Sequence, residues 1–197
     1  MTGLLQFDAP GNGAPGQRVA RLCFYDALQV EATDIGRFRI PLAADFTAPL
    51  GVLISRTRLK SIALAQTFSA EEWLDEAGFY MTEPFDPHKI PLITVHGLLS
   101  SPVTWLNLQN DLMGDPELRQ HYQIWHFIYP PGLPIVVSAR LFRDKLAELY
   151  RFFDPHSHYP ALQAAVVIAH SMGGLLAKTV IRQRRPPLAA VLSQGSR

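Results

Sequence analysis

The chain has 197 residues, of which 48% are hydrophobic and 18% are charged, and its formal net charge is +1. This apolar content excludes an intrinsically disordered chain, and the near-zero charge gives no support for nucleic-acid binding. The single cysteine excludes an internal disulfide framework, and no apolar run approaches the roughly 20 residues that a membrane-spanning helix requires.

Residues 1–17 predict a flexible lead-in, because glycine and proline are concentrated between Pro10 and Gly16. This segment has no basic start before its short apolar run, so we predict no signal peptide. The expected location is cytoplasmic by default, and the sequence leaves the compartment open.

Residues 18–89 predict a small N-terminal extension of strands and short helices. Alternation of side chains indicates strands at 18–25 and 36–42. Two strands bury little surface by themselves, so we expect this pair to flank a larger sheet. Proline at the start of residues 49–56 indicates a short helix there.

A second helix is predicted at residues 69–76 of this extension. Ser69 and Glu72 match a capping box, in which each side chain satisfies a backbone N–H at the start of a helix. Gly78 is placed to end the helix, and a strand is predicted at residues 79–83.

Residues 90–197 alternate between apolar strands and amphipathic helices. This alternation predicts an α/β fold with a mostly parallel sheet and helices on both faces. A short apolar run at 188–192 offers one further strand. The predicted strands are 90–95, 122–129 and 164–169, and the predicted helices are 101–113, 138–153 and 173–181.

The segment from Ala169 to Gly173 joins the third of these strands directly to a helix. It has small residues two positions before and two positions after Ser171, as in a nucleophile elbow, the sharp strand-to-helix turn that exposes a serine. The N-terminus of a helix that starts at this point favours a nearby negative charge, and the backbone N–H of Met172 is placed to donate a hydrogen bond to that charge. The pattern predicts Ser171 as a nucleophile, and we expect His170 only to pack or hydrogen-bond beside it.

A second motif, His96-Gly97, follows the first strand of this region. Together with the elbow, and in this order, it resembles the α/β-hydrolase superfamily, specifically its lipase-like and esterase-like members. The resemblance covers residues 90–182. It implies an incomplete α/β-hydrolase fold, in which the first 89 residues are an added extension.

The resemblance also implies a set of roles. Ser171 would attack a carboxylic ester of a small-molecule or lipid substrate, and the backbone N–H groups of Leu98 and Met172 would bind the oxyanion. Peripheral contact with a membrane would be compatible with such a substrate. No cofactor and no metal are expected. Supporting positions in the loop and the elbow are His96, Gly97, Ala169, His170 and Gly173.

The resemblance breaks after the elbow. In this fold the serine is followed along the chain by an acid and then by a histidine, yet residues 172–197 contain no Asp, Glu or His. We therefore expect a truncated hydrolase that is inactive alone. A non-catalytic binding module and a non-functional gene fragment are the alternatives, and an ester is not distinguished from a thioester or amide.

Four further histidines suggest no metal site, because their spacing fits no familiar ligand pattern and no cysteines assist them. Tyr129, at the end of a predicted strand, is expected to be a core or pocket-wall residue. The four histidines are His121, His126, His156 and His158.

Overall fold

A computed structural model describes residues 1–7, 19–56, 74–98, 100–181 and 191–193. The chain divides into two compact units, Met1–Asp45 and Phe46–Arg197. The domain limits expected from the sequence, after residues 17 and 89, stay predictions. None of the described helices combines the length and the apolar character needed to cross a membrane.

The first unit contains two separate antiparallel strand pairs. Strand β1 (Thr2–Phe7) pairs with β2 (Ala20–Tyr25), and β3 (Ala32–Ile35) pairs with β4 (Phe38–Pro41). The turn between β3 and β4 contains Gly36 at a φ of 60°, a left-handed conformation that glycine adopts without a steric penalty.

One expectation for this unit is wrong. The predicted lead-in includes a regular strand at Thr2–Phe7, because glycine and proline become dense only from Pro10 onward. Among the described residues, the strands predicted at 18–25 and 36–42 pair within two different two-stranded sheets. Residues 8–18 lie outside the described part of the chain.

The second unit carries a mixed α/β fold whose elements follow the predicted alternation. A 3-10 turn at Pro102–Trp105 precedes α2. In chain order the elements are α1 (Ala48–Arg56), β5 (Gly78–Met81), β6 (Ile90–Val95), α2 (Leu106–Gly114), α3 (Pro116–His121), β7 (Tyr122–Ile128), α4 (Ile135–Phe153), α5 (Pro160–Gln163), β8 (Val166–Ala169), α6 (Met172–Ile181) and β9 (Val191–Ser193).

The predicted helix at 101–113 begins differently from its expected form. The side chain of Ser101 makes no capping hydrogen bond, and Pro102–Trp105 form the 3-10 turn. Helix α3, which was not predicted, begins where the Asp115 side chain accepts from the N–H groups of Glu117 and Leu118. Residues 69–73 of the predicted capping-box helix lie outside the described residues, and 74–76 form a single 3-10 turn.

The five strands of the second unit lie in the order β5-β7-β6-β8-β9. Strand β5 runs antiparallel to β7, and the other neighbours pair in parallel. The chain moves from β6 to β7 on one side, and then crosses back over β6 to reach β8. Because crossovers are right-handed, these two connections lie on opposite faces of the sheet.

Alternation along β7 separates the two faces. Trp125 and Phe127 pack on one face, where α4 and α6 lie, and this face holds the main apolar core. Ile124, His126 and Ile128 point to the other face, where Ile128 packs with α1 and α2. Continuous burial along β7 is therefore the result of a sheet that is covered on both sides.

The second face also contains a buried polar chain that joins the sheet to α2. Thr94 Oγ1 lies 2.7 Å from His126 Nδ1, and His126 Nε2 lies 2.9 Å from Gln109 Oε1. Gln109 Nε2 donates to the carbonyl of Phe46, so its Oε1 is an acceptor. The His126 ring therefore carries its proton on Nε2 and accepts at Nδ1 from the Thr94 hydroxyl.

We predict that this network makes stability depend on pH. Burial lowers the pKa of His126 to about 4. An unfolded histidine has a pKa near 6.5, so the folded state favours the neutral ring and loses stability as pH falls through this range. The full difference corresponds to about 3 kcal/mol, of which about 2 kcal/mol is lost by pH 5.

The measurement is the free energy of unfolding in urea between pH 7 and pH 4, for the wild type and for His126→Gln. The variant cannot titrate at this position, so its stability should fall less steeply with acid. Parallel pH profiles for the two proteins would contradict the prediction.

Candidate active site

The two sequence motifs meet at the point where the sheet reverses its strand order. The connection after β6 leads to β7 on one side of the sheet, and the connection after β8 leads to β9 on the other side. The loops that follow these two neighbouring strands therefore diverge. A crevice outside the carboxyl ends of such neighbouring strands is the usual ligand site in an open α/β sheet. His96-Gly97 follows β6, and Ser171 follows β8.

Ser171 occupies a strained turn between β8 and α6. Its φ is 54°, in the left-handed region that a residue with a side chain rarely adopts. The N–H of His170 donates to the Val95 carbonyl over 3.1 Å, and the N–H of Gly173 donates to the His170 carbonyl over 3.0 Å. These bonds hold the turn while the side chains of His170 and Ser171 stay exposed.

Gly173 allows α6 to approach the end of β6 directly. A Cβ atom at this position would lie 2.5 Å from the carbonyl oxygen of Val95 and 2.6 Å from that of His96. Both neighbours are backbone atoms, so no side-chain rotation could relieve the clash. Ala169, at the other predicted small position, is buried in the core beneath the turn.

Gly97 brings the β6 loop against the serine in the same way. A Cβ atom there would lie 2.9 Å from Ser171 Cβ and 3.1 Å from the His170 carbonyl oxygen. The two motifs, more than 70 residues apart in sequence, are thus in contact. Leu98 is 48% exposed beside them, and Met172 is half-buried.

His96 is buried under this contact and is bonded to its own loop. Its Nδ1 lies 3.0 Å from the Gly97 carbonyl oxygen, which can only accept, so the proton is on Nδ1. Burial lowers the pKa of His96 to about 4, and the ring is neutral at pH 7. Its Nε2 has no hydrogen-bond partner among the described residues.

Tyr129 is a member of the site that sequence reasoning placed only in the core or pocket wall. Its hydroxyl donates to the His96 carbonyl over 2.9 Å, and its ring stacks on the His96 ring with centroids 4.6 Å apart. Tyr129 follows β7 directly, and β7 is adjacent to β6. This position at the end of β7 was the sequence feature that could have indicated a site residue. It did not identify the His96 carbonyl as the hydrogen-bond acceptor.

Within the described residues, no hydrogen bond joins the Ser171 hydroxyl to a carboxylate or an imidazole. His126 belongs to the polar chain described above, and His121 lies 2.7 Å from the carbonyl of Glu117. The rings of His156 and His158 lie 5.5 Å apart. No group of three potential metal ligands occurs in the part of the chain that the structure describes.

Comparisons with known proteins find two solved structures that are similar to about half of this chain. No protein-family model and no curated protein matches the chain. The crystal structure of the Bacillus licheniformis lipase BlEst2 in mature form has a TM-score of 0.39 and 22% identity, over 52% of this chain and 39% of that chain. The propeptide form of BlEst2 has the same TM-score and identity, over 52% of this chain and 21% of that chain. The chain thus spans well under half the length of either structure.

We predict that Gly173→Ala destabilises the fold although alanine favours a helix. The added Cβ would collide with two backbone carbonyls, and overpacking of this kind costs about 1–3 kcal/mol. Gly174→Ala is the matched control, because a Cβ there meets nothing within 4 Å. The control should gain about 0.5–1 kcal/mol from helix propensity. Thermal and urea unfolding of both variants check the prediction, and equal stabilities would contradict it.

Proposed function

We propose that this chain supplies the nucleophile and the oxyanion site of an α/β-hydrolase-type serine hydrolase that acts on carboxylic esters. The observation that carries the proposal is Ser171, held at a φ of 54° on a strand-to-helix turn and in contact with the loop after β6. Nucleophile elbows in α/β hydrolases have this strained, exposed serine.

The proposed oxyanion donors are the backbone N–H groups of Met172 and Leu98. Met172 is the first residue of α6, so its N–H belongs to the end of the helix that favours negative charge. Leu98 follows Gly97, which lies against the serine. A donor of this kind is worth about 2.7–4 kcal/mol in the transition state.

In the proposed reaction, Ser171 Oγ attacks the carbonyl carbon of the ester and its proton passes to a base. The tetrahedral intermediate collapses, the carbon–oxygen bond to the alcohol breaks, and the alcohol takes up the proton from the base. Water then attacks the acyl-serine and releases the carboxylic acid. The base is a histidine oriented by an acid in the usual arrangement, and this chain has neither after Ser171.

A hydrophobic acyl group is the proposed substrate class. Beside the exposed His170 and Ser171, the adjoining residues are apolar: Leu98 is 48% exposed and Met172 is half-buried. Such surroundings favour an acyl chain, which includes that of a lipid, over a charged substituent. Nucleic acid is not a proposed ligand.

A non-catalytic binding module is the second candidate function. It is favoured by the lack of a hydrogen bond from the Ser171 hydroxyl to an imidazole or a carboxylate among the described residues. Without a base at the serine, the crevice would bind an acyl ligand and leave it intact.

We predict that a fluorophosphonate probe labels Ser171, with labelling measured by intact mass and peptide mapping, in the presence and absence of added imidazole. Labelling without imidazole would indicate a base within the protein. Labelling that requires imidazole would indicate a competent serine and oxyanion site that lack a base. Ser171→Ala should abolish both signals.

The matched control is Ser157→Ala. Ser157 is also an exposed serine with a φ of 55°, but it lies in the loop after α4. This variant should label like the wild type. Absence of labelling under both conditions would overturn the catalytic proposal and leave the binding module.

A further inference from the structure

Tyr129 occupies a position in which its ring and its hydroxyl act on the same loop. It is fully buried, and its ring contacts those of Phe127 and His96, with centroid separations of 5.4 Å and 4.6 Å. The three rings are close to parallel, with interplanar angles of 14° and 20°. The stack therefore links the rigid strand β7 to the loop that follows β6.

The hydroxyl of Tyr129 restrains the first peptide of this loop. It donates to the His96 carbonyl, which belongs to the same planar peptide as the Gly97 N–H. The Gly173 backbone approaches this same carbonyl, as shown by the 2.6 Å that would separate a Cβ there from the oxygen. Tyr129 and α6 thus both restrain the carbonyl of His96.

The His96 ring restrains the next peptide. Its Nδ1–H donates to the Gly97 carbonyl, and the N–H of Leu98 belongs to that peptide. In a trans peptide the C=O and the N–H point in opposite directions, so a held Gly97 carbonyl sets the direction of the Leu98 N–H. The plane of the His96 ring is set in turn by its stacking on Tyr129.

We propose that Tyr129 is a positioning residue that orients the Leu98 N–H toward Ser171 through its hydrogen bond to the His96 carbonyl and its stacking on the His96 ring. The inference rests on the proposed function, because it assigns the Leu98 N–H an oxyanion to bind. Burial raises the pKa of Tyr129 well above its usual value, so the phenol stays protonated and remains a donor.

A purely structural explanation would give Tyr129 no more than a role in packing and in satisfying a buried carbonyl. Tyr150 offers a matched comparison, because its hydroxyl donates to the Leu162 carbonyl over 2.7 Å. That bond joins α4 to α5 and involves neither the loop after β6 nor the Ser171 turn. Tyr129→Phe and Tyr150→Phe therefore remove the same type of bond and leave both rings in place.

The experiment measures two quantities on the full chain for the wild type and both variants. The first is fluorophosphonate labelling of Ser171, with imidazole added, resolved into the maximal rate constant and the probe concentration for half-maximal rate. Tyr129→Phe should lower the maximal rate constant about tenfold, less than the loss of a whole oxyanion donor, with little change in the half-maximal concentration. Tyr150→Phe should leave both unchanged.

The second quantity is microsecond-to-millisecond exchange at the Gly97 and Leu98 amides, measured by NMR relaxation dispersion. Tyr129→Phe should introduce exchange at these amides, because the two peptides lose a restraint, and Tyr150→Phe should not. This readout needs no activity, so it tests the positioning role even if the wild type is never labelled. Such a failure of labelling would overturn the proposed function alone.

Unchanged dispersion at both amides in Tyr129→Phe would overturn the inference. So would a fall in the labelling rate of equal size in both variants, because a general loss of stability would then explain it. Thermal unfolding of the three proteins establishes that each is folded at the temperature of the measurements.

Discussion

The close approach of α6 to the end of β6 is the constraint on which the site depends. Gly173 lies so near the Val95 and His96 carbonyls that any side chain would overlap backbone atoms. This contact places the strained Ser171 turn against the loop that contains Gly97. A side chain at either glycine would push the two motifs apart, and the serine would lose its neighbouring loop.

The sheet supports this contact differently on its two faces. On one face, large apolar side chains such as Trp125 and Phe142 fill the space between the strands and helices α4 and α6. On the other face, the Thr94–His126–Gln109 chain joins the sheet to α2 by directional bonds. Apolar packing tolerates exchange of similar volumes, whereas a buried hydrogen-bonded chain requires every member. The second face therefore sets the register of α2 more strictly.

Two buried histidines near the sheet have different consequences although burial lowers the pKa of both to about 4. His126 is satisfied at both ring nitrogens, and it contributes to stability above its unfolded pKa. His96 bonds through one nitrogen to its own loop, and its other nitrogen is without a described partner. The proposed oxyanion loop thus depends on a neutral ring that Tyr129 holds in place.

The sequence by itself determined the local features of this protein. The apolar runs before His96 and Ser171 have the length and burial of covered strands, and the small residues around Ser171 predict a tight strand-to-helix turn, which the φ of Ser171 matches. These are properties of short segments, so neighbouring residues carry the necessary information. Residues 1–7 show the limit: the glycine and proline bias that begins at Pro10 predicts a flexible lead-in over residues 1–17, but Thr2–Phe7 form a strand.

Only the tertiary structure decided which distant groups meet. The strand order places β6 between β7 and β8, and this order brings Gly97 against Ser171 and Tyr129 against His96. Periodicity reports which face of a strand is buried, but it does not report which strand is its neighbour. The partners of His126 and of the Tyr129 hydroxyl depend on that neighbour, and for this physical reason they could not be read from the sequence.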